Sequence, residues 1–150
     1  MTKSPFRVAG PGDGGSRRTL RILIADDDRD AANMLAILLR QEGHEVTAVL
    51  RGDEVMDLVR LMRPDALILD INMPGMSGYA IARELKERYA VAAPYMIGVS
   101  GVWTKTSERL LGQAVGFDKY LVKPYDPDQL MAILEHLREA PGRVSGTNDG

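Results

Sequence analysis

Five short apolar runs punctuate the chain: Leu20-Arg-Ile-Leu-Ile-Ala25, Glu45-Val-Thr-Ala-Val-Leu50, Ala66-Leu-Ile-Leu69, Tyr95-Met-Ile-Gly-Val99 and Lys119-Tyr-Leu-Val122. Several are almost continuously apolar, the pattern of strands covered on both faces. Between them the spacing lengthens to that of helices. Asp28 suits the cap of a helix bearing Leu35, Leu38 and Leu39 on one face, and Gly43 follows its end. Ser77 suits the cap of the third helix, and Gly116 suits a left-handed position after the fourth. Asp126-Pro127-Asp-Gln129 offers a cap, a proline at the first helical position and a glutamine able to close a capping box. Five βα units follow. Right-handed crossovers then predict an α/β fold: a doubly wound five-stranded parallel sheet with helices on both faces, ordered 2-1-3-4-5 or in another doubly wound way.

The ends break this rhythm. Residues 1–18 combine Pro5, Pro11 and several glycines with Lys3, Arg7, Arg17 and Arg18 and lack apolar periodicity, which predicts a flexible, mildly basic tail. The string Gly10-Pro-Gly12-Asp-Gly-Gly15 satisfies G-x-G-x-x-G, but no strand precedes it and no helix opens from it, so it is not read as a dinucleotide site. Residues 141–150 predict a second tail, leaving a folded domain over residues 19–140.

Composition narrows the function classes. With 150 residues, 45% of them apolar and 27% charged, the chain fits one soluble globular domain. Nineteen Lys and Arg against 21 Asp and Glu leave a net charge of -2, with no global attraction for nucleic acid or anionic membrane. The absence of cysteine excludes disulfides, thiol catalysis and thiolate-bound metals. No apolar run is long enough to insert in a membrane, and the N-terminal stretch lacks a signal-peptide core, so a cytoplasmic location is expected.

The candidate chemistry lies at the carboxyl ends of the strands. The first ends in Asp26-Asp27-Asp28, the third in Asp70, the fourth in Ser100 and the fifth in Lys123. Acids gathered at one edge repel one another and lose hydration, which a hard divalent cation relieves. Mg²⁺ suits a site of few carboxylates plus water. A cation and the Lys123 ammonium together neutralise phosphoryl oxygens, Ser100 donates a further hydrogen bond, and an Asp70 carboxylate facing them is a competent nucleophile toward phosphorus. Taken singly, each element has a plainer explanation: an Asp run as loop and cap, Lys-Pro as a turn, Ser-Gly as a loop start. Their conjunction, each at the end of its own strand, does not.

In order and separation, Ile22-Leu-Ile-Ala-Asp-Asp-Asp28, Leu67-Ile-Leu-Asp-Ile-Asn-Met-Pro-Gly-Met-Ser-Gly78, Val99-Ser100-Gly101 and Tyr120-Leu-Val-Lys-Pro124 resemble the receiver domain of two-component response regulators. The resemblance covers roughly residues 20–140 and implies the flavodoxin-like 2-1-3-4-5 sheet. It further implies Asp70 as phosphoacceptor, Asp27 as a direct Mg²⁺ ligand, Asp26 acting mostly through metal-bound water, and the Asn72 carbonyl completing the metal's protein ligands. Ser100 and Lys123 are implied to contact the phosphoryl oxygens and Tyr120 to be the aromatic switch. The family's Lys-Pro bond, here Lys123-Pro124, is commonly cis. Ser100 and Gly101 depart from the commoner Thr and Ala; Ser keeps the hydroxyl but lacks the methyl that fixes its rotamer.

The implied function is a phosphorelay switch that accepts its phosphoryl group from a histidine kinase or histidine phosphotransfer protein. It assists its own phosphorylation and dephosphorylation without being a turnover enzyme. The chain reads as a single-domain regulator, or as the receiver of a longer hybrid kinase or regulator, that signals through protein contacts and touches no nucleic acid directly. Two rivals stand beside it: a phosphate-independent protein-binding receiver, and a haloacid-dehalogenase-type phosphatase, whose nucleophile motif Asp26-x-Asp28 resembles although Asp30 stands where that group has Thr or Val. Trp103 is expected near the start of the fourth helix, as a partner anchor or packed against that helix. Val102 offers no polar help to the site. His44 and His136 lie away from the acidic edge, and Met34, Met56, Met62 and Met131 read as core or near-core fillers.

Overall fold

The protein is described by a computed structural model, and its residues 18–101 and 116–139 are the ones described. The strands are β1 (Arg21–Ala25), β2 (Glu45–Val49), β3 (Ala66–Asp70), β4 (Tyr95–Ser100) and β5 (Lys119–Val122). All pair in parallel, in the order β2-β1-β3-β4-β5. The helices are α1 (Arg29–Gln41), α2 (Val55–Met62), α3 (Gly78–Tyr89) and α4 (Pro127–Glu139). The fourth predicted helix, with Val102 and Trp103, falls outside the described residues, as do Gly10–Gly15 and the C-terminal tail.

Strand alternation divides the core in two. Ile22, Ile24, Ile68 and Ile97 point to the side closed by Leu35 and Leu39 of α1 and Leu130, Leu134 and Leu137 of α4. Leu23, Leu67, Leu69 and Met96 point to the side closed by Val55 and Val59 of α2 and Ile81 and Leu85 of α3. Every residue of β3 is buried, which is why its sequence reads as an unbroken apolar run up to Asp70.

The helix ends obey their local signals. The Asp28 carboxylate accepts the Asp30 and Ala31 N–H groups, and Ser77 accepts that of Ala80. Gly43 and Gly116 have φ of 94° and 86°. At α4 the Gln129 side chain reaches the Asp126 N–H at 3.4 Å while Asp126 accepts from Asp128 at 2.9 Å, the expected capping box.

Two expectations need correction. Met34 is 63% exposed, because the buried stripe of α1 is Ala32, Leu35, Ala36 and Leu39 and Met34 lies one residue, about 100°, off it. Met56, Met62 and Met131 do pack against the core. Arg18, placed in the tail by composition, belongs to the fold. Its guanidinium donates to the Leu137 and Arg138 carbonyls, and its own carbonyl accepts from Arg138 Nε at 2.6 Å.

Candidate functional site

β1 and β3 are central neighbours, so Asp26, Asp27 and Asp70 emerge side by side at the carboxyl edge of the sheet. One carboxylate oxygen from each lies within 4.8 Å of the others. Asp70 is 7% exposed, and its Oδ1 accepts the Asn72 N–H at 3.1 Å. Asp26 Oδ1 accepts the Asp28 N–H at 2.9 Å. The Lys123 ammonium reaches across from the end of β5 to Asp26 Oδ2 at 3.3 Å and Asp70 Oδ2 at 3.5 Å. The Lys123-Pro124 peptide is cis.

Burial pushes the Asp70 carboxyl up to about 6; the Asn72 N–H and Lys123 pull it down, and Asp26 raises it further. For Lys123, burial favours the neutral amine, but the Asp26 and Asp70 charges outweigh it and hold the ammonium above its ordinary value. Among the described residues one cation, Lys123, therefore faces three carboxylates. The donor set of hard anionic oxygens, close enough for one small ion to span and short of positive charge, fits a divalent cation. Asn72 follows Asp70 by two residues, which puts its carbonyl in the adjoining loop.

Ser100 ends β4, is 2% exposed, and its carbonyl accepts the Lys123 N–H at 2.9 Å. Tyr120 pairs with Gly98, two residues before Ser100 and on the same side of the sheet. Its half-buried ring stands 5.3 Å from that of Phe117, centroid to centroid. A Cβ on Gly98 would meet both rings at 3.1–3.3 Å, so the glycine lets the aromatic pair lie against the strand that carries Ser100. A Cβ on Gly101 would enter open space, so the residue after Ser100 leaves the approach to the rim clear.

The structure thus gathers Asp26, Asp27, Asp70 and Lys123 directly and sets Ser100, Asn72 and Tyr120 around them. Asp28 commits its carboxylate to the α1 cap, so the Asp26-x-Asp28 pattern does not present a second acid to the site. His44 is buried at the opposite edge, its Nδ1 accepting the Leu20 N–H at 3.3 Å, and His136 is exposed on α4. Tyr125 goes unnoticed in the sequence. It is half-buried against the core, and burial and then the Asp26 charge raise its phenol, with Lys123 opposing. Its only signal is its position two residues after Lys123.

Residues 22–135 match the family model of the response regulator receiver domain. The DNA-binding response regulator MtrA of Mycobacterium tuberculosis H37Rv is 37% identical over 112 residues, 75% of this chain and 47% of that protein. The phosphate regulon transcriptional regulatory protein PhoB of Rhizobium meliloti is 36% identical over 85% of this chain and 56% of its own length. The chain thus spans about half the length of the curated relatives it matches. Among solved structures, the chemotaxis response regulator CheY4 of Vibrio cholerae superimposes with a TM-score of 0.72 at 25% identity, covering 80% of this chain and 99% of that one.

Proposed function

Because the chain belongs to the response regulator receiver family, we propose that it is a phosphorylation-dependent switch of a two-component phosphorelay, with Asp70 as the phosphoacceptor. The donor is a histidine kinase or histidine phosphotransfer protein. The observation that carries this reading is the buried Asp70 carboxylate at the end of β3, within 4.8 Å of Asp26 and Asp27 oxygens and 3.5 Å from the Lys123 ammonium.

In the transfer, an Asp70 carboxylate oxygen forms the new bond to phosphorus while the bond from phosphorus to the donor's imidazole nitrogen breaks, the nitrogen keeping the electron pair. With its carboxyl near 6, Asp70 is mostly ionised at neutral pH and so nucleophilic. The residues fit Mg²⁺, held by Asp26, Asp27, Asp70 and the Asn72 carbonyl, which when bound supplies the positive charge that lets anionic donor and acceptor oxygens approach. Lys123 exchanges its contact with Asp70 for one with a phosphoryl oxygen, and the Ser100 hydroxyl donates to another. Drawing Ser100 toward the phosphoryl group alters the packing beside Gly98 and gives the Tyr120 ring a second position. The output is a population shift, limited by how differently the two states bind the phosphoryl group. The chain acts as a phosphoacceptor that assists its own phosphorylation and dephosphorylation rather than as a turnover enzyme, and it signals through protein contacts. DNA binding in the name of MtrA describes a protein of roughly twice the matched length.

The test is the intact mass after incubation with acetyl phosphate and Mg²⁺. Wild type gains one phosphoryl group and Asp70→Asn stays unmodified. An unmodified wild type, or a variant labelled at the wild-type rate, sinks the proposal.

A further inference from the structure

At the amino end of the sheet, remote from the acidic rim, three segments enclose a cleft of about 740 Å³. Its charge comes from Arg18 and Arg21 at the entry to β1 and from Arg60 and Arg63 at the end of α2. The single acid among the described residues of its wall, Asp65, already accepts the Arg21 backbone N–H at 2.8 Å. Arg60 meets Asp57 only at 3.4 Å, with both side chains largely in water. The side chains of Arg21 and Arg63 make no hydrogen bond or ion pair among the described residues. In a chain of net charge -2, this is a local excess of guanidinium.

The third segment adds apolar surface: Tyr89 is half-buried at the end of α3, and Val91, just beyond it, is 93% exposed. Two helix ends shape this wall. Among the described residues only two non-glycines have positive φ, Arg63 at 48° and Ala90 at 51°. Arg63 lines this cleft, and Ala90 lies between Tyr89 and Val91, which do too. Both are the residues that end their helices, the Arg63 N–H donating to the Val59 carbonyl and the Ala90 N–H to the Lys86 carbonyl, so the chain turns there into the wall of this cleft.

We propose that this cleft is a second, anion-binding site of the domain, for a small organic phosphate of nucleotide size. The volume falls in the range of small-ligand pockets, roughly 300–1,000 Å³. The Arg21 and Arg63 guanidiniums, with Arg60 held only loosely by Asp57 beside them, match a di- or triphosphate better than a single carboxylate, and planar guanidinium forks suit phosphate oxygens. Tyr89 and Val91 supply a surface against which a flat heterocycle packs. The concave shape favours a small molecule over an extended acidic peptide.

The experiment is calorimetric titration of the full chain with ATP, with inorganic pyrophosphate and with a poly-glutamate peptide, in EDTA so that no metal bridges ATP to the acidic rim. ATP is expected to bind saturably at one site and more tightly than pyrophosphate. Arg63→Gly, which also relaxes the backbone, and Arg21→Ala should each weaken ATP about tenfold or more. Both variants should take phosphoryl label on Asp70 from acetyl phosphate and Mg²⁺ as wild type does, which shows that they are folded. No saturable binding of ATP overturns the site, as does affinity unchanged in the folded variants. Pyrophosphate binding as tight as ATP, or binding of poly-glutamate alone, overturns it as well.

Discussion

Aspartates stand at both ends of the same sheet, and the fold uses them in opposite ways. At the amino end, Asp65 and Asp118 each precede a strand and close a reciprocal pair with the neighbouring one. The Asp65 N–H donates to the Arg21 carbonyl at 2.7 Å while Asp65 Oδ2 accepts the Arg21 N–H at 2.8 Å. The Asp118 N–H donates to the Met96 carbonyl, and Asp118 Oδ2 accepts the Met96 N–H, both at 2.8 Å. At the carboxyl end, Asp26, Asp27 and Asp70 face one another with Lys123 as their cation. An acid matched to a backbone donor anchors the ladder. Crowded acids give up stability and gain an affinity for positive charge that Lys123, their cation among the described residues, does not fully satisfy.

The sharpest way to break this contrast is to exchange the losses. Asp70→Asn should abolish phosphoryl incorporation entirely, whereas Asp65→Ala and Asp118→Ala should retain it; intact mass after acetyl phosphate treatment separates them, and a folded Asp118→Ala that takes no label erases the distinction. Next in size is pH. The folded-state Asp70 carboxyl lies at about 6, above its ordinary 3.8, so its protonated form is the one folding favours. The stability it contributes is full below about pH 4 and is lost as pH rises through about 6. Melting curves in EDTA should therefore show wild type losing stability relative to Asp70→Asn across that window, and parallel curves would contradict the cost of burying its carboxylate beside Asp26.

Adding Mg²⁺ should reverse that loss, stabilising wild type by about 2.7 kcal/mol at a hundred times its Kd. Asp27→Ala should show little of this gain and Asp65→Ala all of it. The smallest effects belong to the anchors themselves: Asp65→Ala and Asp118→Ala should each cost about 1 kcal/mol in urea unfolding, with or without metal. A cost that appeared only with metal present would place the anchors in the site.

The carboxyl end was the more legible of the two. Its acids follow doubly covered strands whose apolar runs fix where each strand stops, so Asp26, Asp27, Asp70, Ser100 and Lys123 could be placed on one edge from strand order alone. Caps were legible for a similar reason, since Asp28, Ser77 and Asp126 act within three residues of themselves. What escaped depends on contacts far apart in sequence. Arg138 bonds to Arg18 and to the Glu42 carbonyl at 3.1 Å, and the arginine-lined cleft assembles from residues 18–21, 59–65 and 89–94. Met34 was misjudged on phase: hydrophobicity alone does not tell the buried stripe of α1 from its shoulder.

The clasp between Arg18 and the last turn of α4 has a consequence for attachment. With Arg18 and Arg138 holding each other's neighbourhood through three hydrogen bonds, the first and last described stretches of the chain meet at one corner. Any polypeptide joined upstream and any joined downstream would depart from adjacent points. Segments joined at the two junctions would thus be spaced by this clasp, and loosening it would let their points of departure separate without touching the phosphoacceptor.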